Sequence, residues 1–316
     1  MTAAFRSMGP RVRRGIRAAR ADGDKRRRER KRPDMEKRRP YDDLYIYYIQ
    51  GRVRETEEPG PEENFLGNWV ENDTSFLFFS APSAEAVSRL LKTRPDLRLV
   101  QEFHFAYEEW QGEGEGRVRA GDFVILPPWR RNAADADAVE ILLDPGVVFG
   151  NGLHPTTRDC LRAIGVARRR RSFSTVLDLG TGTGVLAVAS AFSGADRVLA
   201  VDLNPLCRKT AVRNVRLNGL EAAVQVMAAP AEDFFDEPAD LVISNIHYPV
   251  IRGLLEKRPF GGEEMVILSG LMRSPYRDIR QRLVHRGFRI LREWDHEMTW
   301  FTILAEAAGP RGERHV

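Results

Sequence analysis

The stretch from Val176 to Asp202, VLDLGTGTGVLAVASAFSGADRVLAVD, constrains this chain more than any other. An apolar strand runs into a tight glycine turn, a helix follows, and a second apolar strand ends in an acid. That order is the opening unit of an open α/β sheet. Gly180, Gly182 and Gly184 let the backbone turn sharply and approach a ligand with no Cβ in the way. The amides at the start of the following helix face that ligand.

The glycine spacing separates cofactor classes. A dinucleotide fingerprint, G-x-G-x-x-G, would need glycine at 185, where the chain has Val185. The turn is G-x-G-x-G, with Asp178 two residues before its first glycine. That pattern suits an adenosine cofactor without a pyrophosphate, and S-adenosylmethionine (SAM) is the expected one. Asp202 is placed to receive the ribose hydroxyls, because a carboxylate offers two acceptors to a vicinal diol.

The chain has 316 residues, enough for two domains. Its two cysteines, Cys160 and Cys207, lie in stretches read as helical and form no C-x-x-C. They read as reduced and structural, which favours a cytoplasmic protein and argues against a cysteine-based zinc site; no metal is expected. No apolar run is long enough to span a membrane. The net charge of +4 hides an asymmetry. Residues 1–40 carry 16 Lys/Arg against 5 Asp/Glu, whereas residues 41–316 carry 33 against 40 and so are net acidic at −7.

Four regions follow from composition and pattern. Residues 1–40 read as a basic, disordered tail whose Lys25 to Arg32 run offers RNA contact, against a plain reading as a non-functional extension. Residues 41–119 show the order strand, strand, helix, strand, which suggests a small α+β domain of split βαβ type for substrate recognition. Residues 120–138 read as a junction, with a strand at Asp122 to Leu126 stopped by Pro127 and Pro128. Trp129 either covers that junction or lines a substrate entrance. Residues 139–316 form the expected catalytic domain.

Just ahead of the glycine turn stands VVFGNGLHPTTRDCL, Val147 to Leu161. Gly146, Gly150 and Gly152 make Asp144 to Pro155 flexible or tightly folded and so a candidate lid, which runs into the His154-Pro155-Thr156-Thr157 helix entrance with Thr156 as the expected cap. His154 has no Cys, Asp or Glu at ligand spacing; it is read either as structural or as a contact to substrate.

The lid together with DLGTGTGVLAVA at Asp178 to Ala189 resembles the PrmA family, the SAM-dependent methyltransferases of a ribosomal stalk-base protein. Phe149, Gly150, Gly152, His154, Pro155, Thr156 and Thr157 stand on the family's FGTGTHPTT pattern. Asn151 and Leu153 replace two threonines of that pattern, where the family's lid meets cofactor and substrate. The resemblance implies a class I SAM-dependent methyltransferase, Rossmann-like with a seven-stranded mixed sheet, that methylates protein amines without a metal.

Cofactor contacts are expected from Phe149, Gly150, Thr156, Thr157, Asp178, Gly180, Thr181, Gly182, Gly184, Asp202, Leu203 and Asn245. Glu232 or Asp233 is expected to accept the adenine amino group. Ala239 to Ile246, ADLVISNI, reads as the fourth strand and ends at Asn245, at the carboxyl edge of the sheet, followed by His247, Tyr248 and Pro249. The Asn245 carbonyl can accept N–H bonds from an amine and aim its lone pair. Asn245, His154 and Tyr248 are therefore the candidate catalytic residues, Tyr248 as a surface for the substrate. Asn214 and Asn218 match family asparagines, although a solvated helix end accounts for both. A basic ribosomal protein is the expected partner of a monomeric enzyme, and RNA contact is not expected to be essential. The alternative is a SAM-dependent N-methyltransferase for a small-molecule amine or another protein.

Overall fold

The computed structural model describes residues 39–60, 63–112, 117–129, 137–260 and 264–308. The basic tail expected over 1–40 lies outside them apart from Arg39 and Pro40, as do 113–116, 130–136 and 309–316.

The first strands alternate large apolar side chains, and the alternation covers both faces of one sheet. Strands β1 (Asp43–Gln50), β2 (Phe65–Glu71), β3 (Thr74–Phe79) and β4 (Arg98–Ala106) lie in the order β2-β3-β1-β4, all antiparallel. Helix α1 (Ala84–Thr93) connects β3 to β4, which run parallel to each other on either side of β1. Tyr47, Ile49, Leu77 and Phe79 pack on Val87 and Leu90 of α1. Leu44, Ile46 and Phe78 on the opposite face pack on Val147, Val148 and Leu206, at the edge of the catalytic region. A short helix α2 (Tyr107–Gln111) closes the unit.

Part of the expected junction is built into a second sheet. Strands β5 (Val118–Ala120), β6 (Phe123–Leu126) and β7 (Val139–Leu142) pair with β5 antiparallel and β7 parallel to β6. All four residues of β6 are buried, which explains why its run is apolar throughout.

The seven-stranded mixed sheet expected from the sequence is present. Strands β8 (Thr175–Leu179), β9 (Arg197–Asp202), β10 (Val224–Ala228), β11 (Leu241–Asn245), β12 (Met265–Leu271), β13 (Phe288–His296) and β14 (Trp300–Ala307) take the order β10-β9-β8-β11-β12-β14-β13. The hairpin β13-β14 inserts β14 beside β12, antiparallel to it. Helices α3 (Pro155–Arg170), α4 (Val185–Phe192), α5 (Pro205–Leu217), α6 (Tyr248–Lys257) and α7 (Arg273–His285) complete the domain.

Side chains leave each strand alternately. Val176, Val198, Ile243 and Ile267 join Leu161, Ile164 and Val188 in one core. Leu177, Val201, Val242 and Val266 join Ile251, Leu254, Ile279 and Leu283 in the other. Burial on both faces accounts for the continuous apolar runs, and each Leu or Ile so buried stabilises by roughly 1.5–3 kcal/mol.

At the far end of the sheet from the glycine turn, Arg258 is almost fully buried. Its Nη1 donates to the carbonyls of Phe235 and Glu237 at 2.7 Å each, and its Nη2 donates to Glu264 at 2.8 Å. The guanidinium also lies over the Phe260 ring. One side chain thereby ties the end of α6 to the start of β12.

The chain leaves β8 toward β9 on one side, whereas β11 leads to β12 on the other. Strands β8 and β11 are neighbours, so the sheet reverses direction between Leu179 and Asn245. Ligand crevices of open α/β sheets lie at such a reversal, outside the carboxyl ends of the strands.

Candidate active site

The turn after β8 is held from below by β9. Gly180 and Thr181 donate their amides to the Val201 carbonyl at 2.8 and 3.0 Å. Gly182 has φ 55°, and a Cβ there would come within 2.6 Å of the Phe149 carbonyl oxygen. Only glycine allows the lid backbone to lie that close.

Asp202 ends β9 with both carboxylate oxygens occupied. Oδ2 accepts from the Gly182 amide at 2.9 Å and Oδ1 from the Asn204 amide at 3.0 Å. Burial still raises its pKa above the ordinary value, the two amides offsetting that only in part. Leu203, beside it, is 72% exposed and offers an apolar surface at the crevice mouth.

Asp178 is fully buried, with Oδ2 accepting from the Thr181 hydroxyl at 2.6 Å. Its Oδ1 has no well-formed hydrogen bond among the described residues. Burial, reinforced by the charge of Asp202, pushes its carboxyl up to about 7 despite the Thr181 hydroxyl and the nearby Ala187 amide. A buried carboxylate oxygen without a partner is suited to a cationic group.

The lid, residues 144–154, is stapled to the turn by two side chains. Thr183 donates its amide to the Phe149 carbonyl at 3.2 Å and its hydroxyl to the Gly150 carbonyl at 2.9 Å. Asn214 on α5 is fully buried; Nδ2 donates to the carbonyls of Asp144 at 2.9 Å and Thr183 at 2.8 Å, and Oδ1 accepts from the Asp144 amide at 2.9 Å. Asn218 similarly bonds both backbone groups of Leu142. Asn214 therefore does not sit at a solvated helix end: it faces inward beside Ala211 and Val215, because the lid backbone needs partners there, whereas Asn218 ends the helix half-buried and commits its amide to Leu142. The clue in the sequence is an asparagine on the apolar side of an amphipathic helix.

A second set of contacts ties the lid to the small sheet. Tyr41 and Gln111 both donate to the Gly146 carbonyl, at 2.8 and 2.6 Å. Asn151 donates to the Gln111 carbonyl at 2.8 Å, and its Oδ1 accepts from the Leu153 amide at 3.0 Å. Gln111 and Tyr41 carry no motif signal and Thr183 is a variable position of the glycine turn, so sequence reasoning missed all three.

His154, not Thr156, is the cap of α3. Pro155 takes the first helical position, which leaves His154 in extended backbone conformation with its Nδ1 accepting from the Thr156 amide at 3.4 Å. The His154 ring meets Phe149 and Trp300 edge-on, with centroids 5.2 and 5.1 Å away. Burial, then the neighbouring His296 and Arg158, hold its pKa below the ordinary histidine value. Phe149 is itself 52% exposed at the mouth.

Asn245 is half-buried at the end of β11, and its Nδ2 donates to the Thr156 hydroxyl at 3.3 Å. Thr157 next to it is buried, with a hydroxyl that has no partner among the described residues. Tyr248, at the start of α6, donates its hydroxyl to Asp278 at 2.9 Å. His247 before it is exposed and makes no side-chain cap. Glu232 and Asp233 are exposed in a 3-10 turn, Ala231–Phe234, after β10. The structure thus gathers Asn245, Thr156, His154 and Phe149 into one contact chain and places Tyr248 on a neighbouring helix.

SAM fits the residues present. The side-chain-free glycine turn, the unpaired Asp178 oxygen and the apolar Leu203 and Phe149 match its amino acid, charge and adenosine. Among the described residues no group of three His, Cys, Asp or Glu could hold a metal ion, and no helix is long and apolar enough to cross a membrane.

A profile of the family described as Ribosomal protein L11 methyltransferase (PrmA) matches residues 83–308, well over half of the chain. The chain belongs to the PrmA family. It is 36% identical over 192 residues to the Ribosomal protein L11 methyltransferase of Heliobacterium modesticaldum, covering 60% of each chain. To that of Halalkalibacterium halodurans it is 31% identical over 256 residues, covering 78% of this chain and 77% of the relative. It spans 60% and 54% of the length of its Heliobacterium modesticaldum and Anoxybacillus flavithermus relatives. Among solved structures it is similar to a ribosomal protein L11 methylase from Lactobacillus delbrueckii subsp. bulgaricus, with TM-score 0.52 and 28% identity over 59% of this chain and 94% of that one. The PrmA relationship agrees with the class I SAM-dependent methyltransferase topology of the seven-stranded sheet.

Proposed function

We propose that this protein transfers methyl groups from SAM to amino groups of a protein, a lysine side chain or an N-terminal α-amine, and that the protein is ribosomal. The observation that carries this reading is the position of Asn245 at the sheet reversal, with its amide nitrogen bonded to Thr156. SAM supplies a methyl group on a sulfonium, activated toward a nucleophile.

The chain's own residues have the remaining tasks. An amine attacks only when neutral, with its lone pair in line with the methyl carbon. Asn245 Oδ1 accepts an N–H of that amine and so turns the lone pair toward the cofactor side. The Phe149, His154 and Trp300 rings exclude water from the approach, which favours the neutral amine. Orientation and desolvation then supply most of the rate. The proton leaves the methylated amine to solvent after transfer.

The acidic balance of residues 41–316, net −7, suits approach by a lysine-rich protein, and a cytoplasmic site of action goes with such a partner. A different amine acceptor is the second reading, favoured by Asn151 and Leu153 where the family pattern has threonines.

Labelled SAM offered with ribosomal proteins and with whole lysate decides between them. Label in a ribosomal protein supports the first reading. Label confined to a small molecule, or to another protein, replaces it with the second.

A further inference from the structure

Three side chains in series join the entrance of α3 to the end of β11. Thr156 Oγ1 lies 2.7 Å from His154 Nδ1 and 3.3 Å from Asn245 Nδ2. The direction of each bond follows from the helix cap. The Thr156 backbone N–H can only donate, and it points at His154 Nδ1, so that nitrogen carries a lone pair. The Thr156 hydroxyl must then donate to Nδ1 as well, since neither atom would otherwise bring a proton to their short contact. With its proton committed, the Thr156 oxygen can only accept from its other neighbour. The group facing it on Asn245 is therefore NH2, and the carbonyl Oδ1 is on the opposite side. A Cβ at position 270 would come within 3.1 Å of that oxygen, and Gly270 leaves it open.

We propose that His154 is a positioning residue: acting through the Thr156 hydroxyl, it sets which way round the Asn245 amide sits and so keeps the acceptor oxygen turned to the amine. This rests on the amine-methylation reading above and adds the device that orients its central residue.

Protonation of His154 would reverse the series. With a proton on Nδ1, the Thr156 hydroxyl turns to accept it and directs its own proton at Asn245. That arrangement selects the flipped amide, with NH2 where the acceptor oxygen stood. His296 at the end of β13 and Arg158 on α3 are the titratable and charged groups facing the ring, and both oppose its protonation.

The test uses the full chain with three variants. Thr156→Val removes the hydroxyl at constant shape. Thr156→Ser restores it, and His154→Phe keeps a ring against Phe149 and Trp300 while removing Nδ1. We expect T156V and H154F each to lower kcat by about 10- to 100-fold, the scale of a misaligned reactant. With the rate read at saturating SAM, T156S recovers most of it, and the double variant T156V/H154F is no slower than the worse single one. The fall in kcat toward acid pH that protonation of His154 would bring is absent in H154F.

The side-chain amide spectrum of 15N-labelled protein gives a readout apart from activity. The Asn245 NH2 signals, identified by their absence in N245A, should move in T156V and H154F and return in T156S. Multiplying rate losses in the double variant, or Asn245 signals that stay in place in both single variants, would overturn the proposal. Should the wild type methylate no protein amine, the functional reading fails, and the amide spectrum still decides the series.

Discussion

Asn151 donates to the backbone carbonyl of Gln111 at 2.8 Å, and Gln111 in turn donates to the Gly146 carbonyl at 2.6 Å. The lid is thus fastened to the small sheet at two points, one of them made by a residue that departs from the family pattern. Replacing Asn151 by Ala removes one polar contact, for an expected stability loss of about 1 kcal/mol. Thr183 and Asn214 hold the lid to the glycine turn separately, so KM for the methyl acceptor should rise while SAM affinity stays put. Steady-state kinetics beside calorimetric SAM titration checks this, and a loss confined to SAM binding would contradict it.

Asn214 makes three bonds to buried backbone groups of the lid and the turn. In Asn214→Ala those groups lose their partners, at a cost on the order of 2–4 kcal/mol. Thermal unfolding and SAM titration should worsen together, because the same side chain joins Asp144 to Thr183. Weakened stability with unchanged SAM affinity would show that the lid and the turn are not coupled through it.

Asp178 sets a pH dependence whose sign can be worked out. Its folded value, pushed up to about 7, lies above the unfolded carboxylate value of about 4. Between those values the folded chain holds a proton that the unfolded chain has released, so stability without cofactor falls as pH rises through the window. The ammonium of SAM favours the charged carboxylate, so SAM affinity should rise through the same window. Asp178→Asn should flatten both trends, leaving in the stability profile the smaller contributions of Asp202 and Glu58, which shift the same way, and of His154, which opposes them. Denaturation and SAM titration across this range provide the check; identical slopes in variant and wild type would exclude Asp178 as their source.

Arg258 offers a stability test away from the site. Arg258→Met leaves Glu264 without the guanidinium bond and frees the carbonyls of Phe235 and Glu237, costing on the order of 3 kcal/mol. The double variant R258M/E264Q should recover part of that, since it also removes the stranded charge. Denaturant unfolding measures both, and a double variant less stable than the single one would assign the loss to packing over Phe260.

Much of the fold was legible because buried parallel strands must be apolar on both faces. VLDL, VLAVD, LVISN and MVILSGL announce themselves, and the glycine turn fixes where the crevice opens. Proximity was legible where it is local, as for Asp178, Gly182 and Asp202 around one strand end. It was not legible where partners meet across the chain. Asn214 meets Asp144 across 70 residues, and Gln111 meets Asn151 across 40. The cap of α3 was misassigned to Thr156 because threonine commonly caps; Pro155 at the first helical position moves that task to His154. The same shift frees the Thr156 hydroxyl to meet Asn245.

The central claim, that Asn245 orients the acceptor amine, is tested most directly by single-turnover methyl transfer to whichever protein takes up label from SAM, comparing wild type with Asn245→Ala at saturating SAM. A rate lower by about 10²-fold at equal SAM occupancy is the predicted result. Undiminished transfer by N245A at equal SAM occupancy would contradict the account.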